Sequence, residues 1–243
     1  MVEPLFHKDN LKGAAVGAVV ELSGSEAKHA ITVRRMRVGE AIQLSDGSGL
    51  RVKGAIEEIS GNSLIVLVSE VITEALPQRQ LFLVQALAKG DRDELAIQAA
   101  TELGITGVIP WQAARSISRW DGAKQAKGQE RWQLIVNEAS KQSLRAHNPK
   151  VQGIVDTKGL IKVLVDFDLV LVLDISASNL LSSLELPAQG KIALVVGPEG
   201  GIDASELELF ISSGAELISL GANVLRTSTA GMAAVAAITL GNL

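Results

Sequence analysis

The sequence predicts an α/β protein in which a small β unit precedes a larger domain built on a parallel sheet. Three observations predict it. Valine- and isoleucine-rich runs separated by glycine turns fill roughly the first seventy residues; apolar runs of strand length then alternate with helical patterns; and the apolar run from Ile192 to Val196 empties directly into Gly197, Pro198, Glu199, Gly200 and Gly201 ahead of a helix start. Alternation of strands and helices is the signature of a parallel sheet with crossover helices.

In the first unit the runs Gly17 to Leu22, Ala41 to Leu44, Leu50 to Glu57 and Ser63 to Val71 read as strands. Turns at residues 45–49 and 60–62 separate them, and a short helix over 25–35 interrupts them, a spacing that suits a small barrel. The segment from Thr73 to Pro77 breaks both periodicities and reads as a linker. The expected domains are therefore 1–72 and 78–243. Beyond the linker, Leu81 to Leu87 is a strand, Asp91 to Leu103 an amphipathic helix ending at Gly104, and Gly107 to Pro110 opens the next strand. Arg131 to Leu144 is helical, whereas Leu169 to Leu173, Ile192 to Val196 and Leu217 to Leu220 read as strands buried on both faces. Asp203, with Glu206 three residues on, has the form of a capping box. The final element, Thr229 to Leu240, carries no charge and is expected to be buried all round, either threaded into its own domain or packed on a second subunit.

The chain of 243 residues, 47% of them hydrophobic, is ample for a packed core. The lack of cysteine excludes disulfides and thiolate metal sites, and His7, His29 and His147 are scattered rather than set at ligand spacing, so no metal is expected. The amino terminus has no apolar targeting region and the longest aliphatic runs are of strand length, which predicts a cytoplasmic protein that enters no membrane. The net charge of −4 conceals an asymmetry. Residues 79–150 hold 11 Lys and Arg against 7 Asp and Glu, whereas residues 151–243 hold 4 against 10. Basic residues cluster at Lys28, His29, Arg34, Arg35 and Arg37; at Arg115 and Arg119; at Lys124, Lys127 and Arg131; and at Lys141, Arg145 and Lys150. Each cluster reads either as a solvated face or as a surface for a polyanion.

The glycine loop at 197–201 reads either as a tight strand-to-helix turn or as a ligand loop, and a second turn at Leu220 and Gly221 follows another apolar run closely. Two such turns at neighbouring strand ends make a small-molecule site the default expectation. Neither the G-x-G-x-x-G fingerprint nor the lysine of a nucleotide P-loop is present, so backbone contacts and shape would hold the ligand.

The residues 194–202 (LVVGPEGGI) together with 220–230 (LGANVLRTSTA) resemble the bacterial 16S ribosomal RNA uracil-N3 methyltransferases, which belong to the trefoil-knotted SPOUT class. The resemblance runs through nearly the whole chain: Phe6, His29, Val33, Arg34 and Gly39, then Lys89, Gln98, Glu102 to Gly104 and Pro110, then Arg115, Ser116, Arg131, Trp132, Glu138, Ala139, Gln142, Ser143, Arg145 and Pro149. It implies a PUA-like amino-terminal β-barrel, a knotted parallel-sheet domain that binds S-adenosylmethionine, and a homodimer. It places the cofactor among Leu173, Val196, Gly197, Pro198, Glu199, Gly200, Gly201, Leu220, Gly221, Val224, Leu225, Arg226 and Thr227. RNA, as 16S ribosomal RNA or the assembled small subunit, would meet Lys28, His29, Arg34, Arg35, Arg37, Arg115, Gln142 and Arg145. Arg226 is the candidate catalytic residue, unless it caps a carbonyl or pairs with Glu199. Two departures stand out: Ser228 replaces the acid usual between the two threonines, and Ala113 and Ala114 replace a commonly polar pair. Ser228 leaves room for two other readings, a catalytically silent RNA-binding assembly factor and a methyltransferase acting on another RNA.

Overall fold

The computed structural model describes residues 3–241, so the outermost two residues at each end of the expected domain ranges lie outside the described residues. The chain forms two compact units. One comprises the residues up to Leu76 together with Ser140–Asn148, and the other Pro77–Ala139 and Pro149 onward. That division is not contiguous in sequence, so residues 140–148 fall with the first unit although they follow the linker.

The first unit holds β1 (Leu5–His7), β2 (Val19–Ser23), β3 (Ala41–Ser45), β4 (Leu50–Ser60) and β5 (Ser63–Thr73), in the order β1-β3-β4-β5-β2. Only β1 pairs in parallel; the other ladders are antiparallel. The three-residue β1 is too short to show a period, and the sequence reading missed it. Helix α1 (Gly24–Lys28) continues into a π-helical turn, His29–Val33. Alternate strand residues such as Leu22, Leu44, Val52, Ile56, Leu64 and Val66 close over a core shared with Phe6 and Ala27. Register shifts beside Gly54 and Ile56 bend the long β4–β5 hairpin, and a Cβ on Gly54 would lie 2.2 Å from the Leu67 carbonyl oxygen. Buried Lys141 joins the 140–148 segment to α1 through an ion pair with Glu26, 2.7 Å long.

In the second unit the strands are β6 (Arg79–Ala86), β7 (Gly107–Gln112), β8 (Lys150–Val151), β9 (Val155–Asp156), β10 (Leu169–Leu173), β11 (Gly190–Val196) and β12 (Glu216–Ile218). Every pairing is parallel, in the order β12-β10-β11-β6-β7-β8, with β9 also on β7. The helices are α2 (Arg92–Glu102), α3 (Ala123–Gln142), whose residues 140–142 fall with the first unit, α4 (Thr157–Leu164), α5 (Ala204–Ser212) and α6 (Thr227–Leu240). Period-two alternation divides the sheet between two cores: Leu81, Leu83, Leu171, Ile192 and Leu194 face α2, α3 and α6, while Val84, Ile109, Val172, Ala193 and Val195 face α4 and α5.

Several expectations need correction. Helix α3 begins at Ala123 rather than Arg131, because its first two turns are polar and carry no apolar period. Helix α4 was not foreseen, although Asp156 caps it by accepting from the Gly159 N–H at 2.7 Å. The last strand ends at Ile218, where Ser219 and Leu220 already belong to a loop. Within the single chain α6 buries one side, formed by Thr227, Ser228, Gly231, Ala234, Val235 and Ile238, while the intervening residues are half-buried and Leu240 is 77% exposed. Gly231 permits the close approach to the sheet, since a Cβ there would lie 2.8 Å from Leu83 Cδ1 and 3.3 Å from Val196 Cγ2. Gly231→Val should therefore lift α6 from β6 and β11 and lower stability by about 1–3 kcal/mol, as read by denaturant unfolding.

Candidate cofactor and methyl-transfer site

Strands β10, β11 and β12 run in parallel and end together, so Leu173, Val196 and Ile218 bring three chain segments to one edge of the sheet. A cavity of about 460 Å³ opens there, within the size range of small-molecule sites. Of the residues expected to hold a cofactor, Leu173, Val196, Gly197, Pro198, Glu199, Gly201, Leu220, Val224, Leu225, Arg226 and Thr227 line it; Gly200 and Gly221 do not. Gly200 turns toward Arg115, whose Cβ would be 3.4 Å from an added Cβ. Gly221 shapes its loop through a φ of +126°, a value that L side chains rarely adopt. Sequence reasoning missed Arg92, Asp174, Ser219 and Asn223, which also line the cavity. The first two had a signal: Arg92 follows the turn after β6, and Asp174 is the next residue after Leu173, both at the same sheet edge.

The first glycine loop is tightly built. A Cβ on Gly197 would meet Ile202 Cγ1 at 2.7 Å, the Gly201 N–H donates to the Pro198 carbonyl at 2.9 Å, and the Thr227 hydroxyl donates to the Gly197 carbonyl at 2.8 Å. The Asp203 and Glu206 capping box forms as expected and starts α5 directly behind the loop. Glu206 is buried and also accepts from the Ala114 N–H at 2.9 Å and from the Thr157 hydroxyl, which in turn accepts from Trp111 Nε1 at 3.1 Å. Arg115 adds bonds to the Gly200 carbonyl at 3.2 Å and to Asp203 at 2.9 Å. The segment after β7 is thus tied to the glycine loop.

Glu199 points to Arg92, not to Arg226. Its carboxylate accepts from Arg92 at 2.7 Å and from the Lys89 N–H at 2.9 Å. Partial burial pushes the carboxyl upward, but bonds from its own and the Lys89 N–H groups and from Arg92 outweigh that effect and hold it below its ordinary value. This corrects the expected alternative of an Arg226–Glu199 pair. Arg226 is the exposed N-cap of α6; its carbonyl accepts from Thr229 and Ala230 N–H groups, each at 2.9 Å, and its guanidinium has no bonded partner among the described residues.

In the first unit, Lys28, Arg34, Arg35 and Arg37 are exposed, and His29 is half-buried with its ring edge-on to Phe6. Arg35 has φ +56°, an uncommon left-handed conformation for a non-glycine residue. Gln142 is exposed and Arg145 half-buried; burial pushes the Arg145 guanidinium down to about 10. The structure therefore places Lys28, His29, Arg34, Arg35, Arg37, Gln142 and Arg145 in one unit and Arg115 in the other.

Asp93, in the first turn of α2, is 5% exposed, and burial raises its carboxyl to about 6 against the lowering effect of bonds from the Ala88 and Glu94 N–H groups. Because the folded value lies above the ordinary 3.8, the stabilising contribution is present below about 3.8 and is lost as pH rises through about 6. A carboxyl-carbon NMR titration of Asp93 should show a midpoint near 6; a midpoint near 4 would mean that the site admits water.

The sequence profile of an RNA methyltransferase domain matches residues 74–239, and that of an RNA methyltransferase PUA domain matches residues 22–69. A protein of Mycobacterium bovis named ribosomal RNA small subunit methyltransferase E is 39% identical over 98% of this chain and 92% of its own length. The protein of that name from Bacillus subtilis is 34% identical over 89% and 88%. A crystal structure of ribosomal RNA small subunit methyltransferase E from Neisseria gonorrhoeae, bound to S-adenosyl methionine, superposes with a TM-score of 0.86 at 29% identity and covers 98% of both chains.

Proposed function

Because the chain belongs to the RNA methyltransferase family that includes the ribosomal RNA small subunit methyltransferases E, we propose that it methylates N3 of a uridine in 16S ribosomal RNA, with S-adenosylmethionine as methyl donor. The observation that carries this reading is the cavity where three strand ends and two glycine loops meet. Its residues fit the cofactor: Ile175, Val224 and Leu225 offer apolar surface for a heteroaromatic base, the loop backbones offer polar groups, and Asp174 supplies a carboxylate suited to a cationic group. When bound, S-adenosylmethionine supplies a methyl group on a cationic sulfonium.

The chain's own residues then have distinct tasks. The N3 position of uracil carries a proton, which would pass to solvent water, and negative charge spreads onto the flanking carbonyl oxygens as that proton leaves. Arg226, at the cavity and with a guanidinium unengaged among the described residues, is the donor that can meet this charge. Glu199 is an unsuitable proton acceptor, because its bonds to Arg92 and the Lys89 N–H favour the ionised form and lower its basicity. Its role is to hold the loop. Ser228, at the position where the family pattern implies an acid, is buried in the first turn of α6 and is not among the cavity-lining residues. The exposed cations Lys28, Arg34, Arg35 and Arg37 would bind RNA phosphates, so binding should weaken steeply with salt.

The uncharged, half-buried side of α6 and the exposed Val224 support a homodimer packed near the cofactor. The proposed domains are a PUA-like unit over 1–72 and a SPOUT domain over 78–243, acting in the cytoplasm on the small subunit. A trefoil knot in the second is proposed on the family membership.

Transfer from labelled S-adenosylmethionine to small subunits lacking the modification should yield 3-methyluridine on nucleoside analysis; cofactor binding without transfer would overturn the assignment. Arg226→Ala should cut kcat by about 10²-fold with the cofactor Kd changed less than about threefold, whereas equal losses in both would make Arg226 a pocket-shaping residue. Sedimentation should show a dimer, and a monomer that binds cofactor with full affinity would refute the proposed interface.

A further inference from the structure

One buried amide in the second unit serves none of the roles described above. Gln85 is fully buried in β6, opposite Val196 of β11 on one side and Pro110 of β7 on the other. Its Nε2 donates to the Ala86 carbonyl at 3.0 Å and to Thr227 Oγ1 at 2.9 Å, while the Thr227 hydroxyl donates to the Gly197 carbonyl at 2.8 Å. The direction of this chain follows from its ends. Both carbonyls can only accept, so the threonine hydroxyl gives its proton to Gly197 and must receive one from Nε2. The amide orientation is therefore dictated by its partners.

Two further facts show that the amide stands there for its donors. Gln85 Oε1 is buried without a partner, a cost that an apolar side chain of similar volume would not carry. The pairing with β11 ends at Gln85–Val196, and two residues past Val196 the chain reaches Pro198, which has no N–H with which to continue the ladder toward Ala86. The Ala86 carbonyl consequently takes its donor from Gln85.

We propose that Gln85 and Thr227 are positioning residues that fasten the first cofactor loop, at Gly197, to the segment entering α6, so that the two loops form one rigid cradle. Thr227 is the first residue of α6 and follows Arg226 directly, so the same link fixes where Arg226 enters the cavity. The link to cofactor binding rests on the reading of the cavity as an S-adenosylmethionine site.

The test uses the full-length protein and the variants Gln85→Met, Thr227→Val and Thr227→Ser. In the cofactor-free protein, amide hydrogen exchange at residues 199–201 and 228–231 should accelerate about tenfold in Gln85→Met and Thr227→Val and return to the original rate in Thr227→Ser. Calorimetry with S-adenosylmethionine should show Kd raised about tenfold by the first two and less than about threefold by Thr227→Ser. Gln85→Met removes the unpaired Oε1 but also the donors to the Ala86 carbonyl and Thr227, so its thermal midpoint should fall by no more than a few degrees; a lowered midpoint with Kd and exchange both unchanged would mean a purely structural role. Unchanged exchange and Kd in both Gln85→Met and Thr227→Val would overturn the proposal. If Gln85→Met does not fold, Thr227→Val and its rescue by Thr227→Ser decide alone. An unaltered protein that fails to bind S-adenosylmethionine would refute the cofactor reading, while the exchange rates would still decide whether the loops are fastened.

Discussion

Backbone polar groups must find partners where a buried strand stops, and the second unit is organised around that constraint. Three parallel strands end side by side at Leu173, Val196 and Ile218. Beyond those residues the ladder thins to isolated bonds, such as that from the Asp174 N–H to the Ile218 carbonyl, and Pro198 removes one donor outright. The groups nearest the core are answered by side chains: Gln85 for Ala86, Thr227 for Gly197, and the Ser219 hydroxyl for Gly221. Those farther out face the cavity, where a ligand with hydrogen-bonding edges can complete them. The glycines serve the same constraint, because the loops must turn within a few residues while α6 packs closely against β6 and β11 through Gly231.

The charges at this edge are sorted by what already holds them. Arg92 is taken by Glu199, and Arg115 by Asp203 and the Gly200 carbonyl. Glu206 is consumed in capping α5 and in bonds to Ala114 and Thr157. Arg226 alone among these arginines has no bonded partner among the described residues, so in the proposed reaction it is the one left to meet developing negative charge. The acidic balance of residues 151–243 is correspondingly misleading as a guide to substrate, since Glu199, Asp203 and Glu206 all work within the fold.

Legibility in the sequence follows the strength of the local signal. Doubly buried strands such as Ile192 to Val196 announce themselves as uninterrupted apolar runs and the glycine loops follow from composition, so the place of the cavity was legible, while its individual lining residues came from the family resemblance. The polar first turns of α3 carry no period, and α4 is short, so neither start was visible. Gln85 was hidden for a different reason: a single amide within an apolar strand has no meaning until the residue 142 positions away is brought beside it. The grouping of residues 140–148 with the first unit is likewise a matter of long-range packing. The PUA-like and SPOUT assignments came from spaced family matches, which composition and periodicity do not supply.

Ser228 bears on how the departure from the family pattern should be understood. An acid at the second position of α6 would lie where the positive end of the helix dipole favours a carboxylate, an effect of about 0.3–1 kcal/mol near a helix start. Here the position is buried and does not line the cavity, so a carboxylate would also meet a desolvation cost. Serine is tolerated in the first turn of a helix and carries no such cost. The start of α6 is instead held by Thr227 through Gly197 and Gln85, and by the Arg226 carbonyl through Thr229 and Ala230. An element anchored by these bonds does not need a charge at residue 228 to stay in place, so the substitution is compatible with an intact cavity.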